Sequence, residues 1–244
     1  PKRSCVYNLL HFLGEVTHDI DDGHNVDVIY LDFQKAFDKV PLHRLMLKTK
    51  SLCVSGNCAN WIDSWLSGRS QRVVVNGEIS SWMDVTSGVP QGSVLGPLLF
   101  LIFINDLDAG LDSSICKFAD DTKLYRKVDS SMDSAGLQSD LDKLVEWSHK
   151  WQMSFNVGKC KVVHFGSKNL DFPYRMEGTP LESAEQECDI GVIVSSSLKP
   201  SKQCAAAAAR ANRMLGMAKR NFCHLSKDVV LGLYKQLVQH LVMA

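Results

Sequence analysis

A chain of 244 residues with 45% apolar content has enough hydrophobic surface for a globular protein, as one large domain or two modest ones, rather than a disordered one. Its 27 Lys and Arg balance 27 Asp and Glu, so net charge announces no polyanionic partner. The longest apolar run, Val94 to Ile104, is 11 residues, short of the ~20 a membrane helix needs, so it reads as a buried core helix.

Ser4 is placed to cap a first helix with an apolar stripe of Val6, Leu9, Leu10, Leu13, Val16 and Ile20, ending at Asp21-Asp22-Gly23. A strand, Val26 to Leu31, runs into Asp32. Pro41 starts a helix through Leu42, Leu45 and Met46, and a second covers Ala59 to Leu66. Gln71 to Val75 and Ser81 to Val85 read as strands around an Asn76-Gly77 turn in a loop longer than two residues. After the loop Ser87-Gly88-Val89-Pro90-Gln91-Gly92-Ser93, helical pattern runs from Val94 to Leu107 with Pro97 in its first turn. A hairpin carries Phe118-Ala119-Asp120-Asp121 at its tip, and a helix is predicted from about Ser134 to Trp151. Strands follow at Cys160 to Phe165, on both sides of Glu177-Gly178, and at Ile190 to Val194. From Pro200 the pattern is helical, to about Arg220 and again from Lys227 to about Val242.

Charge is unevenly spread. Residues 105–146 hold ten acids against five bases, while residues 198–244 hold eight bases and one acid. That asymmetry fits an acidic metal centre beside a basic track for phosphates, although solvated helix faces would also produce it. The eight cysteines are dispersed, without a Cys-x-x-Cys pair or a signal-like N-terminus, and read as free intracellular thiols. A zinc site from Cys53, Cys58 and His43 lacks a fourth ligand at usual spacing.

An Asp-Asp pair at a turn is ordinary on its own, because Asp bonds its own backbone there. With Asp32 it becomes a set of three carboxylates from two segments, a hard-oxygen site for Mg²⁺ or Mn²⁺ suited to phosphoryl transfer. Asp120 and Asp32 are the main expected ligands and Asp121 a partner, since successive residues of a strand point opposite ways.

The segment from Tyr30 to Pro41, YLDFQKAFDKVP, then Ser87 to Pro97, SGVPQGSVLGP, then Phe118 to Asp121 resemble the reverse transcriptases of non-LTR (LINE-type) retrotransposons, and most closely the Jockey and CR1 branch. The resemblance covers essentially the whole chain, with 88 residues between Asp32 and Asp120. It implies that Asp32 and Asp120 bind both metals, with Asp121 beside the primer end. It implies that Phe33, Gln34, Lys35 and Ala36 form a backbone turn at the incoming triphosphate, and that Phe37 lies under the deoxyribose and excludes a 2′-hydroxyl. Gln91 would contact the incoming nucleotide, with Gly92 allowing close backbone approach. Lys159, in Asn156-Val157-Gly158-Lys159, would donate a proton near the pyrophosphate. Gly191, in Asp189-Ile190-Gly191-Val192, would sit in the hairpin supporting the primer, where the family often carries Tyr-Leu-Gly. Arg210, Arg213 and Arg220 would track the duplex backbone along one helix face. Without the resemblance, Phe37 reads as a core aromatic, the Gly/Pro loop as a strand-to-helix turn and Lys159 as a surface lysine.

The implied fold class is α+β: a polymerase palm with a ferredoxin-like antiparallel sheet and partial fingers over residues 1–195, and a helical partial thumb over 196–244. Arg3-Ser4-Cys5 resembles the end of a fingers region. The implied function is RNA-directed DNA synthesis by primer 3′-hydroxyl attack on a deoxynucleoside triphosphate (dNTP), and the alternative is an inactive retrotransposon remnant that folds and holds nucleic acid. Expected partners are an RNA template, a DNA primer, dNTPs and the endonuclease and fingers regions of a longer polyprotein. The expected setting is intracellular, cytoplasm or nucleus, without a membrane span.

Overall fold

Ser4 accepts a hydrogen bond from the Tyr7 amide at 3.2 Å and so starts α1 (Cys5–Asp21). The computed structural model describes residues 4–221 and 226–238; Arg3 and the expected helical continuation to Val242 lie outside them. Of the expected α1 stripe, Val16 is buried but Val6 and Leu10 are exposed, and the buried anchor is Phe12. Leu9, Leu13 and Ile20 of the stripe are half buried, so periodicity found the inward side and left the exact rotation of the helix open. Phe12 chooses it, by edge-on contacts with Tyr30 and Tyr125 of the sheet at 6.5 and 5.2 Å.

Next come β1 (Val26–Leu31), α2 (Leu42–Ser51) and α3 (Gly56–Leu66). Then β2 (Ser70–Gln71), β3 (Val74–Val75), β4 (Glu78–Ile79) and β5 (Met83–Asp84) nest, β2 on β5 and β3 on β4. The tip is a two-residue turn, shorter than the sequence suggested, because Val75 pairs with Glu78 directly across it. Asn76 and Gly77 have φ of 51° and 90°, the double positive φ such a turn requires.

Helix α4 (Leu95–Phe103) holds Pro97 as its third residue, where a missing amide costs nothing. It ends before the expected Leu107, and it is half buried rather than fully so. Leu99, Phe100 and Phe103 pack inward, while Leu98 and Leu101 face out.

The hairpin β6 (Ser114–Phe118) and β7 (Asp121–Lys127) follows, then α5 (Ser131–Trp151). That helix starts three residues earlier than expected because Ser130 and Asp133 form a capping box. The Ser130 hydroxyl accepts from the Asp133 amide at 3.3 Å, and the Asp133 carboxylate accepts from the Ser130 amide at 3.0 Å. Beyond it lie β8 (Lys161–Phe165), β9 (Arg175–Met176), β10 (Thr179–Pro180) and β11 (Glu182–Ser183).

One five-stranded sheet has the order β11-β8-β1-β7-β6. Only the β11–β8 pair is parallel. Ile29, Leu31, Leu124 and Val162 share the main core with Leu137, Leu141 and Leu144 of α5. Being covered on both faces explains the nearly unbroken apolar run of β1.

The exception in that run is Asp27, fully buried on β1. Its carboxylate accepts from Tyr174 Oη at 2.6 Å and Asn169 Nδ2 at 2.8 Å, and His164 Nδ1 lies 2.7 Å away. Burial pushes the Tyr174 hydroxyl far above its usual pKa, with the Asp27 charge adding to the effect, so it stays a donor. A second buried polar group, Lys48 of α2, donates to the Phe103 carbonyl, pairs with Asp106 and lies 3.8 Å from the Trp151 ring centre. Burial lowers its pKa, against the opposing pull of Asp106.

The chain divides into two compact units, Pro1–Ala184 and Glu185–Ala244. The second holds β12 (Gln186–Asp189), β13 (Val192–Ser195), α6 (Ser201–Asn221) and α7 (Lys227–Leu233), with a π-helical turn at Tyr234–Val238. Ile190, expected to begin a strand, instead forms the β12–β13 turn with Gly191, both at positive φ. Among the described residues no helix is long and apolar enough to cross a membrane. The seven described cysteines are free, Cys160 being buried.

The β6–β7 turn is two residues, Ala119-Asp120, between the paired Phe118 and Asp121. Ala119 sits at φ 52°, where a Cβ is strained. Ala119→Gly is expected to stabilise the protein by about 0.5–1 kcal/mol, the relieved strain less the extra freedom of unfolded glycine, as read from urea unfolding.

Candidate active site

Two neighbouring strands deliver the carboxylates. β1 and β7 are paired up to Leu31 and Thr122, so the next residue of β1, Asp32, emerges beside the β6–β7 tip that carries Asp120. Asp32 and Asp120 line one open cleft of about 600 Å³, together with Phe33, Gln34, Lys35, Ala36, Lys39, Asn156 and Lys159. Lys159 Nζ stands 3.8 Å from Asp32 Oδ2, with both side chains substantially exposed.

The floor is built by residues 154–160 running against the start of the 33–39 turn. Phe33 bridges to Phe155 and stacks on it at 4.6 Å, the Gln34 amide donates to the Ser154 carbonyl at 2.9 Å, and the Asn156 amide donates to the Asp32 carbonyl at 2.7 Å. The Asp32 amide donates to the Cys160 sulfur at 3.4 Å. Burial pushes the Cys160 thiol up to about 11, so it adds no second negative charge under Asp32.

Residues 33–39 then make a single tight turn. Lys35 has φ 48°, and its carbonyl accepts from the amides of Asp38 at 2.9 Å and Lys39 at 3.0 Å. The amides of Lys35, Ala36 and Phe37 have no protein acceptor among the described residues. A run of such amides is an anion-binding cradle.

The remaining candidate residues are distributed differently. Asp121 is exposed at the start of β7 and is not among the cleft-lining residues. Phe37 is half buried and stacked on Phe100 at 4.6 Å, also outside the lining. Gln91 and Gly92 lie on the 87–93 loop, where Gln91 Nε2 donates to Asp38 Oδ1 at 2.9 Å. Gly191, Arg210, Arg213 and Arg220 belong to the second unit; the three arginines are exposed on α6, whose buried positions are Ala211 and Ala218. Lys39 and Asn156 line the cleft without having been singled out from sequence. Their signal was position alone, inside the 30–41 segment and three residues before Lys159.

Backbone contacts lock the 87–93 loop to the 33–39 turn. The amides of Gly88 and Val89 donate to the carbonyls of Val40 and Phe37, each at 2.8 Å, and Arg69 Nη2 donates to the Gly88 carbonyl at 2.6 Å. Gly88 has φ 84°, and a Cβ there would lie 2.6 Å from the Asp38 carbonyl oxygen. Gly88→Ala therefore combines a left-handed backbone with a clash against main chain. It is expected to cost about 2–3 kcal/mol in thermal or urea unfolding.

Among the described residues, no group of three His, Cys, Asp or Glu side chains is arranged to hold a metal ion unaided. Asp32 and Asp120 instead offer hard oxygens on opposite sequence segments of one cleft. Such a pair fits Mg²⁺, which binds through one or two carboxylates and fills its shell with water and substrate phosphates.

Residues 6–217 match Reverse transcriptase (RNA-dependent DNA polymerase), and the chain belongs to that family. Among curated proteins it is similar to RNA-directed DNA polymerases of mobile elements. It is 37% identical over 179 residues to the RNA-directed DNA polymerase from mobile element jockey of Drosophila funebris, covering 69% of this chain and 19% of that protein. It is 31% identical over 206 residues to the probable RNA-directed DNA polymerase from transposon X-element of Drosophila melanogaster, covering 81% of this chain and 23% of that one. The chain thus spans about a fifth of the length of these relatives. Its fold is similar to telomerase from Candida tropicalis, solved with a fragment of telomeric RNA. The TM-score is 0.54 at 12% identity, covering 93% of this chain and 35% of that one.

Proposed function

We propose that this chain is the catalytic part of an RNA-directed DNA polymerase, joining a primer 3′-hydroxyl to the α-phosphorus of a dNTP with release of pyrophosphate. The observation that carries the reading is that Asp32 and Asp120, 88 residues apart in sequence, line one cleft with the 33–36 turn and Lys159.

The five-stranded sheet is then the palm, and the strand order β8-β1-β7-β6, all antiparallel, supports a ferredoxin-like palm. The nested β2–β5 hairpin with its neighbouring helices is read as partial fingers, and the helical tail as partial thumb. Asp32 and Asp120 would hold Mg²⁺ or Mn²⁺, with Asp121 toward the primer end; the bound cation supplies Lewis-acid stabilisation of phosphoryl oxygens. The protein's own residues do the rest. The amides of Lys35, Ala36 and Phe37 would bind the triphosphate, Lys39 would add charge there, and Lys159 would give a proton to the departing pyrophosphate. Phe37, backed by Phe100, would face the sugar, and Gln91 and Gly92 the nucleotide. Gly191 and the arginines Arg210, Arg213 and Arg220 would contact the primer and duplex backbone, their contribution falling with salt. RNA template, DNA primer and dNTP are the proposed partners, within a longer polyprotein such as the relatives' lengths suggest.

The test is primer extension on an RNA template of defined sequence in Mg²⁺ and in Mn²⁺. Incorporation of the complementary deoxynucleotide is expected. Salt-dependent binding of an RNA/DNA duplex without any incorporation would contradict the proposal.

A further inference from the structure

We infer that Asp38 is a positioning residue that holds the side-chain amide of Gln91 in one orientation for the incoming nucleotide. This rests on the reading that Gln91 meets the dNTP, and it adds a residue and a physical task to that reading.

Three contacts converge on Asp38. Its carboxylate accepts from Gln91 Nε2 at 2.9 Å, its carbonyl accepts from Ser87 Oγ at 2.8 Å, and its backbone packs so closely on Gly88 that no Cβ fits between them. The carbonyl contacts fix the loop. The carboxylate is spare for another purpose, because among the described residues it forms no ion pair and accepts only from Gln91.

An exposed contact of this kind adds little to folding stability. Its effect is on the side chain it holds. A free glutamine samples several rotamers and both amide orientations, and an ionised carboxylate can only accept. Asp38 therefore selects the NH₂ end of Gln91, leaving Oε1 and the second N–H available to a ligand. Asn at the same position can accept through its oxygen or donate through its nitrogen, so it would hold Gln91 either way round and lose the selection.

The experiment is a double-variant cycle in steady-state primer extension. Asp38→Ala is expected to raise the dNTP KM about fivefold to tenfold with kcat within about twofold, the net scale of one ordinary hydrogen bond, as suits a solvent-exposed contact. Asp38→Asn is expected to fall between Ala and the parent, with unchanged thermal stability. In a Gln91→Ala background, Asp38→Ala is expected to add less than about twofold. A full Asp38→Ala effect in that background, or none in the parent, would overturn the inference. The contact itself is read independently of activity from the Gln91 side-chain NH₂ resonances, which are expected to shift in Asp38→Ala. Unchanged resonances would overturn the inference even in an active protein, whereas an inactive parent with shifted resonances would overturn the polymerase reading and leave the contact standing.

Discussion

Asp120→Ala is expected to lower templated nucleotide incorporation by about a thousandfold or more while leaving the fold intact. The magnitude follows from losing one of the two cleft carboxylates proposed to hold the catalytic cation. Such charge stabilisation is worth several kcal/mol, and each ~1.4 kcal/mol is a factor of ten in rate. The fold is spared because Asp120 is exposed at a hairpin tip whose turn is set by the pairing of Phe118 with Asp121. Single-turnover extension beside a urea melt separates the two effects. A fall of less than tenfold, or a comparable loss of stability, would contradict the assignment.

Asp27→Ala is expected to do the reverse, costing about 3–5 kcal/mol of stability from a residue outside the cleft lining. The side chain is fully buried and satisfies Tyr174, Asn169 and His164, so its removal strands polar groups without water. Asp27→Asn keeps one acceptor oxygen and is expected to cost less. Denaturant unfolding measures both, and a loss below about 1 kcal/mol for alanine would show that the network is not a structural anchor.

Elements defined by local chemistry were readable in advance. The Ser4 cap, Pro97 inside the first turn of α4, and the position of the Asn76-Gly77 turn, though not its two-residue length, are set by their own residues. Elements defined by distant partners were not. The exact rotation of α1 depends on Phe12 meeting Tyr30 and Tyr125, residues far along the chain, while Val6 and Leu10 at the edge of the predicted stripe remain exposed. Asp27 and Lys48 are invisible for the same reason. A lone acid in an apolar run reveals nothing of Tyr174, and one of several bases on a helix reveals nothing of Trp151.

The candidate site divides in the same way. Its acidic residues and turn were legible because their spacing and order resemble a known family, and the cleft gathers Asp32, Asp120, Lys159 and residues 33–36. Lys39 was hidden as one more lysine. Cys160 was hidden because its contact is with the Asp32 main chain, 128 residues earlier. The link between Asp38 and Gln91 crosses 53 residues and leaves no mark in either segment.

The central claim is that Asp32 and Asp120 act as one catalytic unit in templated DNA synthesis. Primer extension on an RNA template with Asp32→Ala, Asp120→Ala and the double variant tests it most directly. Residues that serve a single function do not lose it twice, so the double variant is expected to match either single one, each about a thousandfold below the parent. Losses that multiply in the double variant, or incorporation by any variant equal to the parent, would contradict the account.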